Sequence, residues 1–238
     1  MRLSSGRRRR GERRIPVTAG VPFMARSRTS DLHGNAPDSC AVALLIIDAI
    51  NDLEFKGGAG MLPRAVRMAR AIAALKRRTT ALGIPTVYVN DNFGRWRSDF
   101  RRIVAHCVDE DVRGQPVAEL LVPDENDYFV LKPKHSGFYN TTLDLLLEYL
   151  HVETLILTGM ATDVCVLFTA ADAYMRDIRV VVARDCVTAL TPELHRTALA
   201  QMRKVLKAEV TTSRAIDLQR LKRRRTRPAR LGPPSGHE

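Results

Sequence analysis

The sequence predicts an α/β fold with a parallel sheet covered on both faces. Three observations carry this. Short apolar runs bounded by turn residues alternate with segments of helical periodicity. The runs are too short for buried helices, and several are continuously apolar, as strands buried on both faces are. The strand–helix alternation is itself the mark of a doubly covered sheet.

Taken in order, Ala41 to Ile47 is the first strand and ends at Asp48, followed by Asn51 and Asp52. Pro63 opens a helix whose apolar face is Ala65, Met68, Ala69, Ile72, Leu75, Thr79 and Leu82, with Gly83 ending it. Thr86 to Asn90 is the second strand. Asp91 to Gln115 reads as a long irregular loop holding Phe93, Trp96 and Phe100, which either wall a pocket or pin the loop. Tyr128 to Leu131 is a strand running into Lys132. Asn140 begins a helix buried by Leu143, Leu146, Leu147 and Leu150. Leu155 to Leu157 is a strand broken at Thr158-Gly159, and Val164, Leu167, Phe168, Ala171 and Tyr174 follow at helical spacing. Arg179 to Ala183 is another strand. Thr191-Pro192-Glu193 is a helix start, with cap, proline and acid in the favoured order, and Leu194, Ala198, Met202, Val205 and Leu206 bury that helix. Glu209 to Thr212 is a last short strand.

The charge divides the chain into domains. Residues 1–30 hold nine Arg against one Glu, and residues 213–238 hold eight Lys or Arg against two acids. The middle, 31–212, carries 21 basic and 23 acidic residues, a net of −2. The expectation is a disordered basic extension over 1–38, one domain over 39–212 and a basic tail over 213–238. Such tails suit nucleic acid or an anionic surface through salt-sensitive contacts. No apolar run reaches membrane-spanning length. Cys40, Cys107, Cys165 and Cys186 match neither a zinc spacing nor a disulfide framework, so a reduced, cytoplasmic setting is expected.

In a parallel sheet, sites lie beyond the C-terminal ends of strands. Asp48, Lys132 and Cys165 all fall there. Singly each has a plain structural reading: a turn carboxylate, a surface lysine, a buried thiol. Together they are a base, a cation and a nucleophile. Cys165 is expected in the first turn of a helix, where unpaired N–H groups lower a thiol's pKa and could hold an oxyanion.

Three segments carry a family resemblance: Leu44-Leu-Ile-Ile-Asp48-Ala-Ile-Asn51-Asp52, Lys132-Pro-Lys-His-Ser136-Gly-Phe138 and Thr158-Gly-Met-Ala-Thr162-Asp-Val-Cys165. In order and spacing the chain resembles the isochorismatase-like cysteine hydrolases, relatives of nicotinamidase and N-carbamoylsarcosine amidase. The resemblance implies six parallel strands in the order 3-2-1-4-5-6. It implies a catalytic triad of Asp48, Lys132 and Cys165, a cis peptide between Met160 and Ala161, and an oxyanion hole from the N–H groups of Ala161 and Cys165. The reaction implied is hydrolysis of an amide or ureido bond in a small molecule through a thioester, in a dimer or tetramer. Candidate substrate contacts are Asn90, Asp91, Phe93, Trp96 and Phe138. The nicotinamidase metal motif, Asp-Trp-His with a further His, is replaced by Asp91-Asn92-Phe93, so no metal and no cofactor are expected. The competing readings are a vinyl-ether hydrolase using Asp48 alone and a nucleic-acid-associated protein acting through its tails.

Overall fold

The computed structural model describes residues 39–92 and 99–223. Its centre is a six-stranded, wholly parallel sheet in the order β3-β2-β1-β4-β5-β6. The strands are β1 (Val42–Ile47), β2 (Thr86–Asp91), β3 (Tyr128–Lys132), β4 (Thr154–Met160), β5 (Arg179–Thr188) and β6 (Glu209–Thr211).

The alternation of side chains along the central strands explains the three layers. Val42, Leu44 and Ile46 of β1 join one apolar cluster, and Ala43, Leu45 and Ile47 join the other. β4 divides the same way, Ile156 to the first and Leu155 and Leu157 to the second. The first cluster is closed by α1 (Gly58–Thr80), α2 (Phe100–Asp109), α3 (Gln115–Ala118) and α7 (Leu218–Arg223). The second is closed by α4 (Leu143–Tyr149), α5 (Leu167–Tyr174) and α6 (Pro192–Lys204). Each fully buried Val, Leu or Ile contributes roughly 1.5–3 kcal/mol of transfer free energy, so the central strands are the fold's main anchor.

Several sequence expectations need correction. α1 begins at Gly58, before Pro63, because Gly57 takes up the left-handed turn at its N-cap (φ 93°). The stretch Asp91 to Gln115 is not all loop. It contains α2, whose N-cap Asp99 accepts the Arg102 N–H at 2.9 Å and whose stripe of Phe100, Ile103 and Cys107 is buried. α4 starts at Leu143 rather than Asn140. α5 buries the small residues Thr169, Ala170 and Ala173, while Phe168 and Tyr174 are exposed. α6 buries Ala198 and Met202 but exposes Leu194 and Val205. The basic tail expected from residue 213 does not begin there. Asp185 Oδ1 and Oδ2 accept the Ser213 N–H and hydroxyl at 2.6 and 2.7 Å, and Ile216, Leu218 and Leu221 are buried. Residues 213–223 therefore pack on the domain. Among the described residues, no helix is long and apolar enough to cross a membrane.

One buried ion pair joins α1 to the entry of β3. Lys76 Nζ lies 2.5 Å from Asp127 and 2.7 Å from Asp124, over the Tyr88 ring. Lys76→Ala would leave the buried Asp127 carboxylate without a cation, and such a loss costs ~3–5 kcal/mol. Urea unfolding of the variant should show that drop. A change below about 1 kcal/mol would mean that the pair is solvated.

Candidate active site

The strand register brings the C-terminal ends of β1 to β4 side by side. Ile47 pairs with Val89 on one side and Gly159 on the other, and Asp91 pairs with Lys132. Gly159 is required there: at φ 104°, an added Cβ would lie 1.9 Å from the Ile47 carbonyl oxygen. A side chain at 159 would push β4 away from β1.

Asp48 ends β1 in the left-handed region (φ 47°), which Asp tolerates better than most residues. Its N–H donates to the Val89 carbonyl at 2.9 Å. Its carboxylate is nearly sealed, the residue being 6% exposed. Oδ1 accepts the Asp91 N–H at 2.7 Å, and Oδ2 lies 2.8 Å from Lys132 Nζ.

Lys132 comes from the edge strand, two strands from β1, a lateral gap of about 10 Å. The long side chain crosses it, passing over the end of β2. The residue is wholly buried, and its ammonium is saturated. Nζ donates to the Lys134 carbonyl at 3.1 Å and to Cys165 Sγ at 3.5 Å, and the Asp91 carboxylate stands 3.7 Å away.

Cys165 is not in the first turn of an α-helix. It sits on a single π turn, Thr162–Val166, which precedes α5. The N–H groups of Val164 and Val166 both bond the Ala161 carbonyl at 3.1 Å. The Met160–Ala161 peptide is cis, as the resemblance implies. Met160 itself points into the core, and Cys165 is half-buried, with the Asp48 charge bearing on its thiol.

The electrostatics reverse one expectation. Burial pushes the Cys165 thiol up to about 12; the Asp48 charge adds to this and Lys132 opposes it. The position past a strand end does not by itself make a thiolate, because desolvation outweighs it. Burial also raises Asp48 above its ordinary 3.8, against the pull of Lys132. Burial alone would lower Lys132, but Asp48, Cys165 and Asp91 together raise it above 10.5. The resting site is thus a thiol and a carboxylate joined by an ammonium that touches both.

Of the candidate substrate contacts among the described residues, only Asp91 keeps solvent access, its side chain 34% exposed. Asn90 is fully buried and donates to the Ile50 carbonyl at 2.6 Å, bracing the turn after β1. Phe138 is also buried, in the second core cluster, with the Arg176 guanidinium 4.6 Å above its ring. Neither lines an open cleft. Phe93 and Trp96 lie outside the described residues. Among the described residues no group of three His, Cys, Asp or Glu could hold a metal ion.

Sequence reasoning missed the lashing between the Lys132 loop and the helix behind Cys165. The Ser136 hydroxyl donates to Asp172 and accepts the Phe138 N–H at 3.1 Å, and Thr169 Oγ1 accepts the Gly137 N–H at 3.0 Å. Ser136 and Gly137 lie in a segment that attracted notice. Asp172 and Thr169 gave no signal, being single polar residues in a helix.

The features assembled so far define the class as a hydrolase with a three-layer α/β fold. A model of the isochorismatase domain matches residues 42–215, and the chain belongs to that family. It is similar to the uncharacterized isochorismatase family protein YaaI of Bacillus subtilis, 40% identical over 174 residues, covering 73% of this chain and 95% of that protein. It is 30% identical over 197 residues to the ureidoacrylate amidohydrolase RutB of Methylobacterium radiotolerans, covering 70% and 75% of the two chains. The crystal structure of N-carbamoylsarcosine amidase from Thermoplasma acidophilum superposes with a TM-score of 0.57 at 28% identity, over 74% of this chain and 98% of that one.

Proposed function

We propose that this protein is a cysteine amidohydrolase that cleaves the C–N bond of a small amide or ureido compound through a thioester on Cys165. The observation that carries the reading is the meeting of three groups: Lys132 Nζ lies 2.8 Å from the Asp48 carboxylate and 3.5 Å from Cys165 Sγ, so one ammonium joins the carboxylate to the sulfur. The names of two relatives, an amidohydrolase of ureidoacrylate and an amidase of N-carbamoylsarcosine, support the bond class.

Asp48 takes the thiol proton as sulfur attacks the carbonyl carbon, so no free thiolate is needed beforehand. Lys132 holds the charge on sulfur and carboxylate in balance. The N–H groups of Ala161 and Cys165 stabilise the oxyanion. Protonated Asp48 then gives its proton to the departing nitrogen and the C–N bond breaks. A water, deprotonated by Asp48, hydrolyses the thioester to the acid and returns the thiol. Asp91, at the solvent side of Lys132, is the described residue placed to meet the substrate's polar end. The test is ammonia release from a panel of small primary amides and ureido acids, run beside Cys165→Ser. A panel hydrolysed equally by both proteins would end the proposal.

The pH profile follows from the same charges. Asp48 acts as base only when ionised, and its folded-state pKa is raised above 3.8. Activity is therefore lost as pH falls through that raised value, and the acid limb of kcat/KM lies higher than an ordinary aspartate would put it. The thiol near 12 and Lys132 above 10.5 put the alkaline limb well above neutral pH. An acid limb at or below 3.8 would remove Asp48 from the base role.

A further inference from the structure

A cavity with a charged rim lies outside the triad. A crevice of about 390 Å³ opens between α1, the end of β5 and the first turn of α6, and none of Asp48, Lys132 or Cys165 lines it. The size falls within the roughly 300–1,000 Å³ of small-molecule sites. Its charged lining is Arg64, Arg67, Asp185 and His195.

The charges there do not cancel. Both oxygens of Asp185 are engaged by Ser213. Arg64 gives one terminal nitrogen to the Leu190 carbonyl at 2.6 Å, while its Nε is buried with no acceptor. Arg67, three residues along the same helix, is exposed. Two arginines thus line one cavity, and its single carboxylate is occupied.

We propose that this crevice binds a small anion, a carboxylate or phosphate group, held by Arg64 and Arg67. Guanidinium groups bind both with paired, charge-assisted hydrogen bonds. The site is in contact with the catalytic edge. His195, on the crevice wall, has Nδ1 3.0 Å from the Thr162 hydroxyl, and Thr162 begins the π turn that carries Cys165. The occupant therefore lies one side chain and one hydrogen bond from that turn.

His195 also reports occupancy. Burial first, and then the Arg196 charge, hold it below its ordinary 6.5, with Asp163 opposing. Arg64, Arg67 and Asp185 face the same cavity. An anion placed among them raises the pKa of His195. The test is an NMR titration of the full chain with inorganic phosphate and, separately, malonate, following the His195 ring signal assigned by its loss in His195→Asn. The expected result is a saturable shift and a raised His195 midpoint with at least one anion, and the tighter one identifies the chemistry as phosphate or carboxylate. Arg67→Gln should weaken binding by about tenfold, as expected for loss of a charge-assisted contact, and leave basal hydrolysis unchanged. Arg67 is the chosen position because Arg64 also braces the backbone at Leu190. Absence of saturation with both anions, or equal affinity in Arg67→Gln, overturns the proposal.

Discussion

Cys165→Ser is expected to lower kcat/KM for amide hydrolysis by roughly 10⁴–10⁶-fold, the scale seen when a nucleophile is removed from a preorganised site. The hydroxyl can keep the contact with the Lys132 ammonium, so the resting geometry survives. What is lost is the nucleophile: a serine hydroxyl is far harder to ionise than a thiol, and Asp48 is a weak base for it. Because Cys165 is half-buried and the exchange is nearly isosteric, stability should change by less than about 1 kcal/mol. An unchanged melting temperature with lost activity separates chemistry from folding. Cys165→Ala sharpens the result, since it removes the nucleophile altogether. If the alanine variant retained turnover, Asp48 would be acting on water or on a vinyl ether without covalent chemistry.

Lys132→Met carries the second large effect, with two readouts. Lys132 is the one cation reaching both Asp48 and Cys165 in the described site. Without it, Asp48 is a sealed carboxylate left with the Asp91 N–H, and it binds a proton at higher pH. A protonated Asp48 cannot accept from sulfur, so activity should fall by about 10²–10⁴-fold, the usual contribution of a general base. Stability should also fall by ~3–5 kcal/mol at neutral pH, because a buried carboxylate without its cation either stays unpaired or takes up a proton against the neutral solvent. The pH dependence has a definite sign. The folded-state pKa of Lys132 is raised, so its contribution is fully present below 10.5 and is lost as pH rises through the folded value. In the variant Asp48 must take up a proton on folding, so the penalty shrinks as pH falls from neutral towards the ordinary 3.8 of an unfolded aspartate. Urea midpoints of the two proteins should converge in acid and separate at neutral pH. A constant separation across that range would mean that the loss is packing alone.

Much of this was legible in the residues, for physical reasons that can be named. The central strands were readable because β1 and β4 are buried on both faces and have no polar side to blur the pattern. Asp48, Lys132 and Cys165 stood out because each is a charged or reactive group at the end of an apolar run, and the register brings those ends together. α2 was hidden by Arg101, Arg102 and His106, which mask a sound apolar stripe of Phe100, Ile103 and Cys107. The face of α5 was misread because its buried side uses Thr169, Ala170 and Ala173, small residues that let the helix lie close to the sheet, while larger apolar residues face out. The state of the thiol was not legible at all. It depends on how deeply the sulfur is covered and on which oxygen it meets, and both are set by chain segments far apart in sequence. The tail boundary was misplaced because charge density around Arg214, Arg220 and Lys222 outweighed the three apolar residues that anchor that segment.

The most direct test of the account is partitioning of the acyl group. With the best amide from the panel, hydroxylamine is added and both acid and hydroxamate are measured alongside ammonia. An acyl group held on sulfur predicts hydroxamate formed at the expense of acid, in a ratio that rises with hydroxylamine, while ammonia still tracks their sum. Ammonia and acid released in equal amounts, with no hydroxamate at any hydroxylamine concentration, would contradict a covalent intermediate on Cys165.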